Sequence, residues 1–262
     1  QLVLASAGHE GTLRLWRLPA GPFLPAMLAR QVAERPSFEG GRVVDVAWNQ
    51  VRVLDARGRA SRWLALEQPP GFAELAFGDR MLVLTVGASL QRFDARTLLP
   101  RGEPIALPQT PQRFLLSADG QRVFLSFPER DAEGFVERLQ AWDLGSGRQL
   151  AGGTHLKGPL QQLVLAGEQR LVAVGPADGA TTVLDAASLQ TVDHWPHDPF
   201  EPVVAASAIP GGDALWLLAR ADDPRLGRDT LLRWRPGDEE PGLRRELGIR
   251  PFAVGATQGG GA

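Results

Sequence analysis

FLLSADGQRVFL at residues 114–125 is followed by LQAWD at residues 139–143, and these two segments decide the fold. In the first segment, Phe114-Leu115-Leu116-Ser117 and Val123-Phe124-Leu125 flank Ala118-Asp119-Gly120, where the Asp-Gly pair tolerates the positive φ angles of a tight turn. The second segment ends in an aromatic residue and a carboxylate. This order predicts two strands joined by a turn, and then a third strand of the same antiparallel sheet.

The third-strand pattern recurs along the chain, at residues 13–17, 60–63, 90–94, 182–185 and 231–235. Its aromatic or leucine positions are separated by 47, 30, 49, 42 and 50 residues, and all but the second gap fit one four-stranded unit per repeat. Because apolar positions that recur regularly are typical of a core, we predict that these residues pack between sheets. The predicted structural anchors are Trp16, Trp63, Phe93, Trp142, Asp143, Leu184 and Trp234.

Apolar segments split by tight turns precede most of these anchors. Leu163-Val164-Leu165 comes before Gly167-Glu168-Gln169, and residues 203–209 and 215–218 flank Gly211-Gly212-Asp213. No segment has a long period of 3.6 residues, and 21 prolines and 30 glycines interrupt the chain too often for long helices. The sequence therefore predicts an all-β fold.

Two segments resemble the end of a WD repeat, namely residues 8–16 (GHEGTLRLW) and residues 139–144 (LQAWDL) with Gly147 after them. Weaker matches extend over the whole chain: Phe93-Asp94 and Leu184-Asp185 keep the Asp of the motif, whereas Trp16-Arg17 and Trp234-Arg235 keep the Trp. The resemblance implies a divergent bacterial β-propeller. Such propellers are often the sensor or interaction part of a signalling protein, including receptor-like serine/threonine kinases.

The resemblance leads to an expected architecture of six four-stranded blades, with seven blades as the alternative. Residues 1–258 would form one propeller, and residues 259–262 a disordered glycine-rich tail. We expect residues 250–256 to supply the inner strand of the N-terminal blade and so close the ring. The 30-residue gap before Phe93 contains Pro69-Pro70-Gly71, which predicts a short blade there.

Composition excludes several classes of function. The 28 basic and 30 acidic side chains give a net charge of −2 without a basic stripe, so we expect no nucleic-acid partner. No apolar run approaches the roughly 18 residues of a spanning helix, and we expect no membrane insertion by this segment. The chain opens directly on a strand pattern, which suggests a piece of a larger protein. An extracytoplasmic part of a membrane-anchored receptor is the favoured location, and the cytoplasm is the alternative.

Two charged segments are predicted to be expanded loops on the face where WD-repeat relatives bind partners. They are residues 128–134 and 220–229; the favoured interpretation is that these charges only face water, and partner contact is the alternative. A third unusual segment, residues 193–200, is predicted to connect the fifth blade to the sixth. It could contact a partner through its aromatic residues or bind a metal through its histidines and carboxylates, but a packed connection is the favoured reading. The candidate partner-contact residues are Glu129, Arg130, Asp131, Glu133, Trp195, His197, Asp198, Phe200, Arg220, Asp222, Asp223, Arg225 and Arg228.

No motif of a known catalytic site is present. The sequence lacks a Gly-x-Ser-x-Gly elbow, a phosphate-binding glycine loop with its lysine, and a His-Glu-x-x-His pair. We therefore predict no catalytic residues, no metal site and no cofactor. The leading hypothesis is a non-catalytic module that binds a protein partner or senses a small ligand, and the alternatives are a propeller hydrolase and a structural scaffold.

Overall fold

All the regular elements that the structure describes are β-strands. The computed structural model describes residues 2–7, 13–18, 42–55, 59–76, 80–117, 119–132, 134–175, 180–196, 202–209, 212–220 and 229–246. Within these ranges, 21 strands form six antiparallel sheets, and consecutive strands are neighbours in each sheet. The predicted all-β fold is confirmed. The chain divides into two compact units, of which unit 1 comprises residues 1–111, 118–121 and 257–262, and unit 2 comprises residues 112–117 and 122–256.

Unit 1 contains sheets 1 to 3. Its core joins sheet 2 to sheet 3, because alternate residues such as Val51 and Val53 pack in one cluster with Leu82 and Leu84. Sheet 1 consists of β1 (Leu2–Ala7) and β2 (Leu13–Leu18), and sheet 2 of β3 (Val43–Ala47), β4 (Gln50–Leu54) and β5 (Leu64–Ala65). Sheet 3 consists of β6 (Phe72–Ala76), β7 (Met81–Thr85), β8 (Ser89–Asp94) and β9 (Ile105–Ala106).

Unit 2 contains sheets 4 to 6, each with four strands. Sheet 4 consists of β10 (Arg113–Leu116), β11 (Arg122–Asp131), β12 (Gly134–Asp143) and β13 (Gln149–Lys157). Sheet 5 consists of β14 (Gln162–Ala166), β15 (Arg170–Val174), β16 (Ala180–Asp185) and β17 (Thr191–Pro196). Sheet 6 consists of β18 (Val203–Ala208), β19 (Leu215–Ala219), β20 (Thr230–Trp234) and β21 (Leu243–Glu246).

The second strand of sheet 5 shows how the sheets of unit 2 stack. Successive side chains of a strand point to opposite faces. Leu171 and Ala173 of β15 therefore pack with the apolar residues of sheet 4, whereas Val172 and Val174 pack with those of sheet 6. A strand with a core on both faces has to be apolar throughout, which is why Leu171–Val174 of β15 form a continuous hydrophobic run instead of an alternating one.

A side-chain amide links sheets 5 and 6. Gln162, the first residue of β14, accepts a hydrogen bond from the Ala206 amide at 2.9 Å, and its own amide donates to the Ala206 carbonyl at 2.5 Å. The glutamine thus makes the pair of hydrogen bonds that a neighbouring strand would make. It satisfies backbone groups of β18 that would otherwise be unpaired at the edge of sheet 6.

Sheet 2 is short, as the position of Pro69-Pro70-Gly71 predicts. It has three strands, and no fourth strand joins it in the part of the chain that the structure describes. The predicted closure of the ring involves residues 250–256, and the predicted disordered tail residues 259–262. Both segments lie outside the described residues, so these predictions remain predictions.

The prediction that Trp63 packs in the core is wrong, because a β-bulge precedes it. Ala60 is opposite Leu54 and Leu64 is opposite Val51, so this segment has one residue more than β4 between the two pairs. The Ser61 hydroxyl accepts the Val53 amide hydrogen in place of a backbone carbonyl, as expected at such an irregularity. Leu64 then packs against the core, whereas Trp63 is 38% exposed.

Candidate functional site

The most distinctive element of unit 2 is the long hairpin of β11 and β12. Both strands have ten residues and stay in register from the Arg122–Asp143 pair to the Asp131–Gly134 pair. The neighbouring strand β10 pairs with β11 only as far as Ser126. Residues 127–131 therefore continue past β10 by about 17 Å at the usual rise per residue.

The prediction that residues 128–134 form an expanded loop is wrong. Glu129, Arg130 and Asp131 lie in β11, and the Asp131 carboxylate accepts the Gly134 amide at 2.9 Å across the turn. Pro128 can lie in this strand because the Ser126 carbonyl accepts a hydrogen bond from Gln112, so the backbone nitrogen two residues later points past the end of β10. Glu133 lies outside the described residues.

One carboxylate connects the three strands of this hairpin region. Glu129 on β11 approaches the Arg138 Nε on β12 at 2.8 Å and the His155 Nε2 on β13 at 3.1 Å. The Arg138 N–H is not aligned with the carboxylate as a hydrogen bond would require, so this contact is mainly electrostatic. All three side chains are partly exposed. They present a polar surface on a rigid element, which is where binding residues are commonly found.

The opposite face of the same hairpin is fixed to the next sheet by a buried carboxylate. Glu137 is fully buried and accepts the Leu160 amide hydrogen at 2.7 Å. The carbonyl of Leu160 accepts two hydrogen bonds from the Arg113 guanidinium, at 2.8 and 2.5 Å. Leu160, in the connection from sheet 4 to sheet 5, is thus held through both its backbone amide and its backbone carbonyl. Sequence reasoning missed these contacts, because Glu137 and Arg113 lie 23 and 47 residues before Leu160 in the chain.

Only the base of the second predicted loop lies among the described residues. Arg220 follows β19 and Asp229 precedes β20, and the Arg220 Nε is 3.7 Å from a carboxylate oxygen of Asp229. The Asp229 side chain is fully buried. This contact joins the two ends of the predicted loop at the end of the β19–β20 hairpin. Asp222, Asp223, Arg225 and Arg228 lie outside the described residues.

The third predicted segment is partly a strand. Residues 193–196 belong to β17 and pair with β16, so the prediction that the connection to sheet 6 begins at Asp193 is wrong. Trp195 is half-buried and stacks on Trp234 of β20 with the ring centroids 5.1 Å apart. Stacking between sheets 5 and 6 accounts for the position of Trp195. His197, Asp198 and Phe200 lie outside the described residues.

The predicted anchors occupy different environments. Phe93, Leu184 and Trp234 are buried, and Trp142 is half-buried with its indole N–H donating to Gln140 at 3.1 Å. The structure describes only the backbone of Trp16, in β2. Trp63, as described above, is exposed.

In sheets 3, 4 and 5 the third strand ends in an Asp, and this residue has a role that sequence reasoning did not recognise. Asp94 accepts hydrogen bonds from the Thr97 amide and hydroxyl, and Asp143 and Asp185 accept the same pair from Ser146 and Ser188. Each carboxylate therefore fixes the turn into the fourth strand. The signal was visible in the sequence, since a Ser or Thr follows each Asp by three residues.

Two of these carboxylates have pKa values below the usual range. The Arg101 guanidinium, 2.7 Å away, and then the hydrogen bonds from Thr97 lower the pKa of Asp94. The Ser188 amide and hydroxyl lower the pKa of Asp185. Both groups are charged at neutral pH and stabilise their turns in that form.

The described residues contain no group of three His, Asp or Glu side chains placed to hold a metal ion. No helix in the same ranges is long and apolar enough to cross a membrane.

No family model and no curated protein matches the sequence. Among solved structures, the chain is similar to the β-propeller domain of Cps50 (Swd1) from Myceliophteria thermophila, with a TM-score of 0.65. The match covers 97% of this chain and 86% of that one. At 14% sequence identity, this similarity shows the fold alone. The chain has a β-propeller fold.

Proposed function

We propose that this chain is a non-catalytic protein-interaction module and that its partner binds the extended β11–β12 hairpin. The observation that carries the proposal is the continuation of β11 and β12 past the end of β10 as a paired, in-register hairpin. Binding to a hairpin that is already rigid costs less conformational entropy than binding to a flexible loop, which has to become ordered in the complex.

The contacts of the hairpin support this role. One face is fixed to sheet 5 through Glu137 and Leu160, whereas the other carries the partly exposed Glu129, Arg138 and His155. An ion pair at such exposure adds at most about 1 kcal/mol to stability. Its contribution to folding is therefore small, and these charges remain available to a partner. The non-catalytic character rests on the sequence, which carries no catalytic motif.

We also propose the wider context that the WD-repeat resemblance implies. In this proposal residues 1–258 form one propeller domain, and the domain is the interaction or sensing part of a larger bacterial signalling protein. The propeller match over 97% of the chain supports a single domain.

The test is a shortened hairpin. A two-residue turn closes on a pair of residues that exchange backbone hydrogen bonds, and such pairs alternate along an antiparallel ladder. Because the backbone nitrogen of Pro128 points toward β10, the neighbouring Glu129–Val136 pair is a hydrogen-bonded one. Residues 130–135 can therefore be replaced by Asn-Gly, and Glu129→Gln in the same variant removes the exposed carboxylate that would remain. The matched control is Arg148→Gln with Glu168→Gln, two exposed residues at the other end of sheets 4 and 5. Circular dichroism and thermal unfolding first establish that both variants fold.

The three proteins are then compared as affinity baits in lysate of the source organism. We expect a protein that is retained in stoichiometric amounts by the intact chain and the control but not by the folded, shortened variant. Equal retention by all three proteins contradicts the assignment of the binding surface to the hairpin. The absence of any retained protein favours a small-ligand sensor.

A further inference from the structure

Sheet 2 holds one arginine in a fixed orientation between a carboxylate and an aromatic ring. The Arg52 Nε lies 2.7 Å from a carboxylate oxygen of the buried Asp45, and the guanidinium carbon lies 4.2 Å from the centroid of the Trp63 ring. Asp45 contacts the guanidinium through Nε. The two terminal nitrogens of Arg52 meet no acceptor among the described residues, and the side chain is partly exposed.

This arrangement exists because of the bulge before β5. Without the extra residue, Trp63 would be opposite Val51 and would face the core. With it, Leu64 takes that place and Trp63 moves over Arg52. Bulges commonly re-aim side chains at functional sites. Here the bulge moves a large aromatic ring out of the core and onto a cation.

We propose that Arg52 binds a carboxylate of an acidic segment in a partner protein. Its open fork of two terminal nitrogens matches the two oxygens of a carboxylate. Because Asp45 balances the single positive charge of Arg52, the pair is neutral, and a carboxylate with one negative charge is repelled by Asp45 less than a doubly charged phosphate is. The exposed part of Trp63 can contact an apolar side chain next to the acidic one. Because the site lies in unit 1 and away from the β11–β12 hairpin in sequence, it stands or fails independently of the proposed function.

A second tryptophan in sheet 2 indicates that this sheet meets a partner. Trp48 is 71% exposed and has a φ of 56°, a conformation that favours glycine in a two-residue turn. The turn is held by two hydrogen bonds between Asn49 and Leu66, at 3.0 and 2.8 Å. Trp48 thus keeps a strained backbone conformation although most of its side chain faces solvent, and strained residues cluster at ligand-contact sites.

The chain supplies a matched control for Arg52. The Arg59 Nε contacts Asp55 at the same distance of 2.7 Å in the same region, but Arg59 is far more exposed and meets no aromatic ring among the described residues. Arg59→Lys therefore removes an equivalent ion-pair geometry without touching the proposed site. Arg52→Lys keeps the charge but removes the planar fork.

The test uses three peptides: acetyl-Leu-Asp-Leu-amide, its Asn counterpart, and its phosphoserine counterpart. Binding is followed by fluorine NMR of protein labelled with 5-fluorotryptophan, with the resonance of residue 63 assigned from Trp63→Phe. We expect the aspartate peptide to shift this resonance and the asparagine peptide to leave it unchanged. Arg52→Lys should weaken binding of the aspartate peptide tenfold or more, whereas Arg59→Lys should leave it unaltered.

Equal shifts with the aspartate and asparagine peptides, or unchanged affinity in a folded Arg52→Lys variant, overturn the proposal. Tighter binding of the phosphoserine peptide would assign the site to phosphate instead. The other tryptophan resonances report whether each variant is folded. Asp45→Asn gives an independent measurement, because it raises the net charge of the site by one unit. It should increase phosphoserine binding relative to aspartate binding at least threefold, and an unchanged ratio contradicts the role given to Asp45.

Discussion

Replacing Leu189 by glycine should destabilise the protein no more than replacing it by alanine, although glycine is ordinarily the worse substitution. Leu189 follows the turn that Asp185 fixes, and its φ is 59°, in the left-handed region. It is also fully buried, in the cluster that joins sheets 4 and 5. Gly147, with a φ of 71°, occupies the corresponding position after Asp143.

The magnitude follows from three terms. Truncation of a buried leucine to alanine costs about 2–5 kcal/mol. A residue with a Cβ at this φ costs about 1–2 kcal/mol, and glycine relieves that strain. The greater freedom of glycine in the unfolded chain costs about 0.5–1 kcal/mol. Leu189→Gly should therefore be as stable as Leu189→Ala, or more stable by up to about 1.5 kcal/mol.

Leu184 is the matched control. It is equally buried, belongs to the same cluster and lies in β16 with an ordinary strand conformation. There, glycine should be less stable than alanine by about 0.5–1 kcal/mol. The four variants are compared by equilibrium unfolding in urea, from midpoints at constant slope, using the transition of unit 2 if the two units unfold separately. If glycine is worse than alanine by the same amount at both positions, strain at Leu189 does not contribute to stability.

Three further predictions concern single side chains. Because the folded pKa values of Asp94 and Asp185 are lowered, their contribution to stability is present above the unfolded value of about 3.9 and is lost as the pH falls through the folded values. The free energy of unfolding, measured from pH 5 to pH 2.5, should consequently fall less steeply in Asp94→Asn with Asp185→Asn than in the original protein. Glu137→Ala should lower the free energy of unfolding in urea by about 1–3 kcal/mol and Glu137→Gln by less, because only glutamine still offers an acceptor to the buried amide; equal losses would contradict this. Trp234→Ala should cost about 3–5 kcal/mol by the same measurement and Trp63→Ala about 1 kcal/mol, since only the first ring is buried.

The sheets could be predicted from the sequence because their signals are local. Asp119-Gly120 marks a turn, the apolar runs on either side mark strands, and the spacing of the third strands gives the repeat. The turn-fixing role of the Asp that ends three of these strands could also have been predicted, from the Ser or Thr three residues later. The left-handed conformation of Leu189 could not be predicted, because leucine disfavours it and only packing within the folded cluster offsets the strain.

The candidate surfaces were harder to predict because they depend on register. Pro128 and the charges after it are typical of a loop. They lie in a strand because β10 ends early, so the missing N–H of the proline deprives no neighbouring strand of a hydrogen bond. Pairing across the sheet sets where β10 ends relative to β11. This end point cannot be predicted from residues 128–134 themselves.

Trp63 illustrates why a recurring aromatic residue does not by itself identify a core position. Its place in the sequence matches the other anchors, yet the segment around it contains one residue more than β4, and that shift exchanges the faces of Trp63 and Leu64. The core loses little, because leucine fills the position. The surface gains a guanidinium that a carboxylate and an aromatic ring hold in place. A one-residue insertion can thus convert a structural position into a binding position while the sheet around it is kept.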